Sequence, residues 1–175
     1  MAMTFPDFDL VCDQEIESRK LYTNLFLISG SKILLGLKKR GLGQGKWNGF
    51  GGKVESEETI EEGAIREMKE EAGIDVDLVE KIGILEFVFS GRPQALETHI
   101  FVAKGYSGEL IESEEMYPQW FPWSMDAIPF DTMWSDDHLW FPYLQQNQKF
   151  KGKFYIDGND EATILGATLN PVESL

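Results

Sequence analysis

Residues 52–74 read GKVESEETIEEGAIREMKEEAGI, and the second half of that run has one good structural solution: an amphipathic helix with crowded acid along its margin. Thr59 and Glu62 are spaced as a capping box and Gly73 sits where a helix ends in a left-handed turn, so a helix is expected over residues 60–72. On a 3.6-residue period Ala64, Ile65, Met68 and Ala72 form an apolar arc that the rest of the chain must cover. Glu67, Glu70 and Glu71 fall together beside it. Like charges three and four residues apart cost a helix roughly a few tenths of a kcal/mol per pair. A bound cation reverses that sign.

Carboxylates without neighbouring His or Cys suit a hard cation, so the expected ion is Mg²⁺, with Mn²⁺ as a substitute. Such an ion neutralises a pyrophosphate and lowers the pKa of an attacking water, which lets Glu70 or Glu71 act as a base. Arg66 can hold a carboxylate in a bidentate pair, and Glu58 assists from the loop before the helix. A helix by itself requires neither Gly52 six residues before Glu58 nor Arg66 eight after it, so the spacing points to chemistry. Glu57, Glu61 and Glu62 read as an ordinary solvated face.

A formal charge of −14 over 175 residues argues against sequence-independent binding to DNA or RNA. Positive charge is nevertheless concentrated just before the acidic motif: Lys38, Lys39, Arg40, Lys46 and Lys53 lie in a stretch, Lys38 to Val54, that holds no Asp or Glu. Six glycines between Gly41 and Gly52 punctuate a loop around Trp47, Asn48 and Phe50, which lets backbone approach a ligand closely. Phe50, Gly51, Gly52 and Lys53 are therefore candidate substrate contacts, with Lys53 and the loop amides directed at phosphate oxygens. Cys12 is the single cysteine, which excludes an internal disulfide and fits a reducing compartment, read here as the cytoplasm. No apolar run suits a membrane span and no secretory signal opens the chain. A monomer is expected.

Residues 1–20 form an acidic extension, expected to be partly mobile, and residues 21–175 a single α/β domain. Leu21–Ile28 and Lys32–Leu37 read as strands around Ser29-Gly30-Ser31, and Ile84–Phe89 and Thr98–Ala103 as strands around Gly91-Arg92-Pro93. Trp140–Gln148 reads as a second helix, followed by apolar runs at Phe154–Ile156 and Thr163–Leu165. His99 is expected to pack and His138 to lie on the surface, since neither has metal-ligand spacing.

The run from Gly52 to Ile74 resembles the signature of the Nudix hydrolase family, which implies an α/β/α sandwich with a mixed β-sheet and cleavage of nucleoside diphosphate derivatives. Two further blocks, KKRGLGQGKWNGFGGKV from Lys38 and MWSDDHLWFP from Met133, resemble the MutT-like branch that destroys oxidised purine nucleoside triphosphates. That resemblance implies hydrolysis of substrates such as 8-oxo-dGTP and 2-hydroxy-dATP to the monophosphate and pyrophosphate, which sanitises the nucleotide pool. It also implies metal binding by the Gly51 carbonyl, Glu67, Glu70, Glu71 and Glu115. A nucleobase pocket is implied at Thr23, Asn48, Phe87, Trp134, Asp136 and Asp137, with Lys38 nearby. Trp134 can stack on a purine, and Asn48 has both a donor and an acceptor for a base edge. Adjacent carboxyl groups in a closed pocket resist double ionisation, so one of Asp136 and Asp137 can donate while the other accepts. An ordinary Asp-Asp helix cap is the alternative for that pair. Alkylated purines such as O6-methyl-dGTP or dinucleoside polyphosphates are alternative substrates, and a non-catalytic nucleotide sensor is the alternative role.

Overall fold

The computed structural model describes residues 4–175. After α1 (Phe8–Val11) the chain enters β1 (Ser18–Ser29), in which Leu25, Phe26 and Leu27 are all fully buried. A strand buried on successive residues must be covered on both faces, and the remaining elements do this. They are β2 (Lys32–Lys38), β3 (Trp47–Asn48), α2 (Ile60–Ala72), β4 (Asp75–Asp77), β5 (Glu80–Phe89), β6 (Gln94–Ala103), β7 (Gly105–Ser107) and β8 (Met116–Pro122). After two 3₁₀ turns come α3 (Asp137–Gln145), β9 (Phe150–Ile156) and β10 (Ile164–Pro171).

Eight strands form one sheet in the order β10-β9-β5-β6-β1-β2-β3, with β8 also pairing β2, while β4 and β7 form a small separate ladder. The β1–β6 and β5–β9 pairs are parallel and the others antiparallel, so the sheet is mixed. On one face Ala64, Met68 and Ala72 of α2 pack with Leu25, Leu27, Leu34 and Phe101. On the other, Trp140, Phe141 and Leu144 of α3 pack with Phe26, Leu35 and Phe154. This is the expected α/β/α sandwich.

The capping box forms as the spacing predicts: the Thr59 hydroxyl accepts from Glu62 N at 3.2 Å and the Glu62 carboxylate from Thr59 N at 2.7 Å. Gly73 closes the helix at φ 77°. Elsewhere the structure corrects the reading. The second helix begins at Asp137, three residues early, and stops by Gln145, because Asn147 takes a left-handed φ of 52°. β8 carries Pro118 and Pro122, which hide it from pattern reading; a strand with a free edge tolerates the missing N–H groups.

The expected division at residue 20 falls inside β1. Of the preceding segment, residues 1–3 lie outside the described residues, and the rest docks on the sheet. Phe8 is buried against Val88, Ala95 and Tyr155, Phe8 N donates to the Thr168 hydroxyl at 3.1 Å, and Ala167 N donates to the Pro6 carbonyl at 2.9 Å. Val88 alternates along β5 with Phe87 and Phe89, so this segment braces the strand from the face opposite those two phenylalanines.

Candidate functional site

The loop after β3 is tied to the edge of β1. Leu25 N donates to the Phe50 carbonyl at 2.7 Å and Thr23 N to the Gly52 carbonyl at 2.9 Å. Alternation turns Gly51 the other way, and its N–H donates to Glu71 Oε2 at 3.0 Å. Close approach requires Gly51, where a Cβ would strike the Thr23 backbone carbonyl, while a Cβ on Gly52 would push against the movable Glu67 carboxylate. Gly51→Ala is therefore expected to destabilise the protein by about 2 kcal/mol or more in urea unfolding, since backbone must shift to make room.

Arg66 organises the first acidic group. Its Nε and Nη2 grip Glu58 at 2.9 and 2.7 Å, while Nη1 reaches Glu67 at 2.9 Å and Glu70 at 3.2 Å. The hydrogen bond from Arg66, with a second from Glu55 N, pulls the Glu58 carboxyl down to about 2. Burial pushes Glu67 the other way, above the ordinary carboxylate range, against the pull of Arg66. Glu70 is the exposed member, with 59% of its side chain accessible.

Glu71 is the buried member, at 3% exposure. Desolvation pushes its carboxyl up to about 7, opposed by the Lys38 charge and the Gly51 N–H. Lys38 Nζ lies between Glu71 at 3.4 Å and Glu115 at 3.3 Å, and Glu115 also receives Arg40 at 3.0 Å, whose hydrogen bond holds it below its usual range. Loop residue Glu115 thus meets the helix carboxylates through the same lysine. Among the described residues no three His, Cys, Asp or Glu side chains stand close enough to hold an ion as they are, and Arg66 and Lys38 pair with the carboxylates of the strip. The donor set still fits a hard divalent cation: it is all oxygen, and Glu71 is a desolvated carboxyl whose charge is offset by the Lys38 ammonium at 3.4 Å and by Gly51 N–H.

A cavity of about 730 Å³ opens beside this strip, with Gly51, Gly52, Lys38 and Glu115 at one end. Its apolar walls include Leu85, Phe87 and Leu96, and Phe87 is held by stacking on Phe154 at 5.5 Å between ring centroids. Trp134 forms another wall, with Lys46 Nζ 5.3 Å from its ring centroid, where a cation favours the π face. Gly43 keeps φ at 78° and leaves room for the indole. Thr23 is buried at the junction of strand and loop, its hydroxyl 3.5 Å from the Gly52 backbone.

Asp136 and Asp137 are both buried in this cavity, at 6% and 2% exposure. Asp136 Oδ2 accepts from the Trp140 indole at 2.9 Å, and Asp137 Oδ2 accepts from Trp134 N at 3.0 Å. Asp136 occupies the N-cap position of α3 yet its side chain makes no capping bond, which removes the ordinary-cap alternative for that residue. Burial raises both carboxyls, and the charge of Asp136 drives Asp137 well above the carboxylate range.

Two expected contacts fall elsewhere. Phe50 is fully buried against Leu25, Leu34 and Met116 on the α2 face, because its backbone pairing with Leu25 points the ring inward. Lys53 is exposed beyond Gly52 and stands outside the cavity wall. Asn24 was not anticipated: it lines the cavity and donates to Asn48 Oδ1 at 2.8 Å. Its signal was present, as a carboxamide inside the otherwise apolar strand LYTNLFLI.

A model of the NUDIX domain matches residues 19–144. The chain is 49% identical over 156 residues to the oxidized purine nucleoside triphosphate hydrolase of Danio rerio, across 89% of this chain and 97% of that protein. It is 48% identical over 159 residues to the protein of the same name from Mus musculus, across 91% and 99%. The crystal structure of a MutT mutator protein from Bacillus halodurans superposes with a TM-score of 0.74 at 27% identity, covering 86% of this chain and 97% of that one.

Proposed function

From the premise that this chain belongs to the Nudix hydrolase family, we propose that it hydrolyses oxidised purine nucleoside triphosphates, of the 8-oxo-dGTP and 2-hydroxy-dATP type, to the monophosphate and pyrophosphate. The observation that carries this reading is the pair of buried carboxyls, Asp136 and Asp137, beside Trp134 in a cavity that runs to the acidic strip. Identity of 49% and 48% over nearly the whole length of two relatives named oxidized purine nucleoside triphosphate hydrolase supports it. Its work is sanitation of the nucleotide pool, in the cytoplasm.

Mg²⁺, or Mn²⁺ in its place, would be held by Glu67, Glu70, Glu71, Glu115 and the Gly51 carbonyl, and supplies charge neutralisation of the triphosphate and a more acidic attacking water. The chain's own residues do the rest. Arg66 locks Glu58 and Glu67 with a planar fork, so the acidic strip keeps its shape while substrates exchange. Gly51 N–H holds Glu71 from the loop. Glu70, the exposed member of the strip, or Glu71 would accept a proton from water as the new P–O bond forms and the α–β anhydride bond breaks. Pyrophosphate leaves with the bonding pair. The loop amides and Lys38 would offset charge on the phosphates, and a base between Trp134 and Phe87, which line the cavity, would turn its edge toward Asn48 and the two aspartates.

The test is a steady-state comparison of 8-oxo-dGTP, 2-hydroxy-dATP, O6-methyl-dGTP and dGTP with Mg²⁺. The oxidised purines are expected to exceed dGTP in kcat/KM by at least tenfold. Equal efficiency on all four removes the sanitation reading, and binding without pyrophosphate release removes the enzyme reading.

A further inference from the structure

The carboxamide of Asn48 faces the nucleobase cavity, and two neighbours hold its oxygen. Gly49 N–H donates to Asn48 Oδ1 at 2.8 Å, and Asn24 Nδ2 donates to the same oxygen at 2.8 Å. The backbone settles which atom is which. An N–H can only donate, so the Asn48 atom that meets Gly49 is oxygen, and the Asn24 atom that meets that oxygen is nitrogen. Asn24 Oδ1 is then buried without a hydrogen-bond partner, in the space that a side chain at Gly49 would fill.

An unsatisfied buried carbonyl destabilises a fold, so the arrangement needs a reason. We propose that Asn24 is a specificity-determining positioning residue: Gly49 N–H already orients the Asn48 oxygen, and by filling its second lone pair Asn24 leaves the Asn48 amide to substrate as a donor only, which selects a purine edge that offers an acceptor. The expectation that Asn48 supplies both a donor and an acceptor is narrowed accordingly. Donor selection then divides between two groups. Asn48 recognises a carbonyl or ring nitrogen, and the aspartates recognise the remaining donors and acceptors of the base. The inference rests on the purine-triphosphate reading above, yet the orientation of Asn48 is a property of the free protein.

Two measurements test it. In the free protein, the side-chain amide of Asn48 is followed by NMR in wild type and in Asn24→Leu, which is similar in size and makes no hydrogen bond. The expected result is a clear chemical-shift change of the Asn48 amide pair in Asn24→Leu, since its oxygen keeps the Gly49 N–H but loses the second of its two donors. With 8-oxo-dGTP, 8-oxo-dITP and 2-hydroxy-dATP as substrates, at least one pairwise ratio of kcat/KM is expected to shift about fivefold in Asn24→Leu toward the purine with the additional donor. The change should be carried by KM. A thermal midpoint at or above wild type is expected as well, because the orphan oxygen is gone; Asn24→Ala serves if leucine proves too bulky. Unchanged Asn48 signals, or substrate ratios within twofold of wild type, overturn the proposal. Failure of wild type to favour oxidised purines overturns only the reading beneath it, since the NMR result stands without turnover.

Discussion

Glu71→Gln is expected to lower kcat/KM by at least about a hundredfold to a thousandfold, the scale of removing one preorganised charge-stabilising group from a water-poor site. Glu71 is the buried carboxylate of the acidic strip, joined to the loop through Gly51 N–H and to Glu115 through Lys38, so its loss reaches every part of the phosphate end. The same substitution has a second readout with opposite sign. Burial raises the Glu71 carboxyl from 4.5 to about 7, so without a divalent cation the folded chain retains there a proton that the unfolded chain has released. The neutral acid's contribution to stability is complete below about pH 4.5 and is lost as pH rises through 7. At about 1.4 kcal/mol per pH unit the loss is of order 3 kcal/mol. Metal-free wild type should therefore lose stability relative to Glu71→Gln between pH 4.5 and 8, measured by urea unfolding in EDTA, and added Mg²⁺ should restore wild type but not the variant. A difference that stays flat across that range contradicts the assignment.

Asp137→Ala is expected to cost about tenfold to a hundredfold in kcat/KM for an oxidised purine triphosphate, and Asp137→Asn distinctly less. Alanine removes both the acceptor for Trp134 N–H and the donor offered to the base, which leaves buried partners unpaired. Asparagine keeps an oxygen for Trp134 and an NH₂ where the protonated acid would present its O–H. Desolvation and the neighbouring Asp136 hold the Asp137 carboxyl well above its ordinary range, so its donor is present at low pH and lost as pH rises through the raised value. The pH profile of kcat/KM should accordingly fall on its alkaline side in wild type and be flattened there in Asp137→Asn. Retention of the wild-type alkaline fall in the asparagine variant would sink this account.

The acidic strip was legible because its logic is local. Thr59, Glu62 and Gly73 declare the ends of one helix, and Glu67, Glu70 and Glu71 share its margin by the helical period alone. Arg66 gripping Glu58 is nearly as local, eight residues apart across a single cap. The cavity was legible through resemblance, since Asn48 on β3, Phe87 on β5 and the Trp134–Asp137 entry to α3 are three places that no spacing brings together. Where pattern reading failed, orientation was at stake. Phe50 stands between glycines in a loop that suits a ligand, but pairing with Leu25 turns its ring toward α2. β8 was invisible because its prolines forbid the usual pattern, and an edge partnership with β2 tolerates them.

By itself the sequence determined the acidic strip: helix period and caps crowd Glu67, Glu70 and Glu71 on one margin because the forces concerned act within a few residues, and the resemblance carried by that run implied the reaction. Only the tertiary structure decided what each polar group can still offer. Burial raised the carboxyls of Glu71 and Asp137, Lys38 linked Glu71 to Glu115 across 43 intervening positions of chain, and Asn24 together with Gly49 N–H filled the Asn48 oxygen and left its amide as a donor. Desolvation and hydrogen-bond pairing depend on neighbours distant in sequence, and these exist only once the sheet has closed.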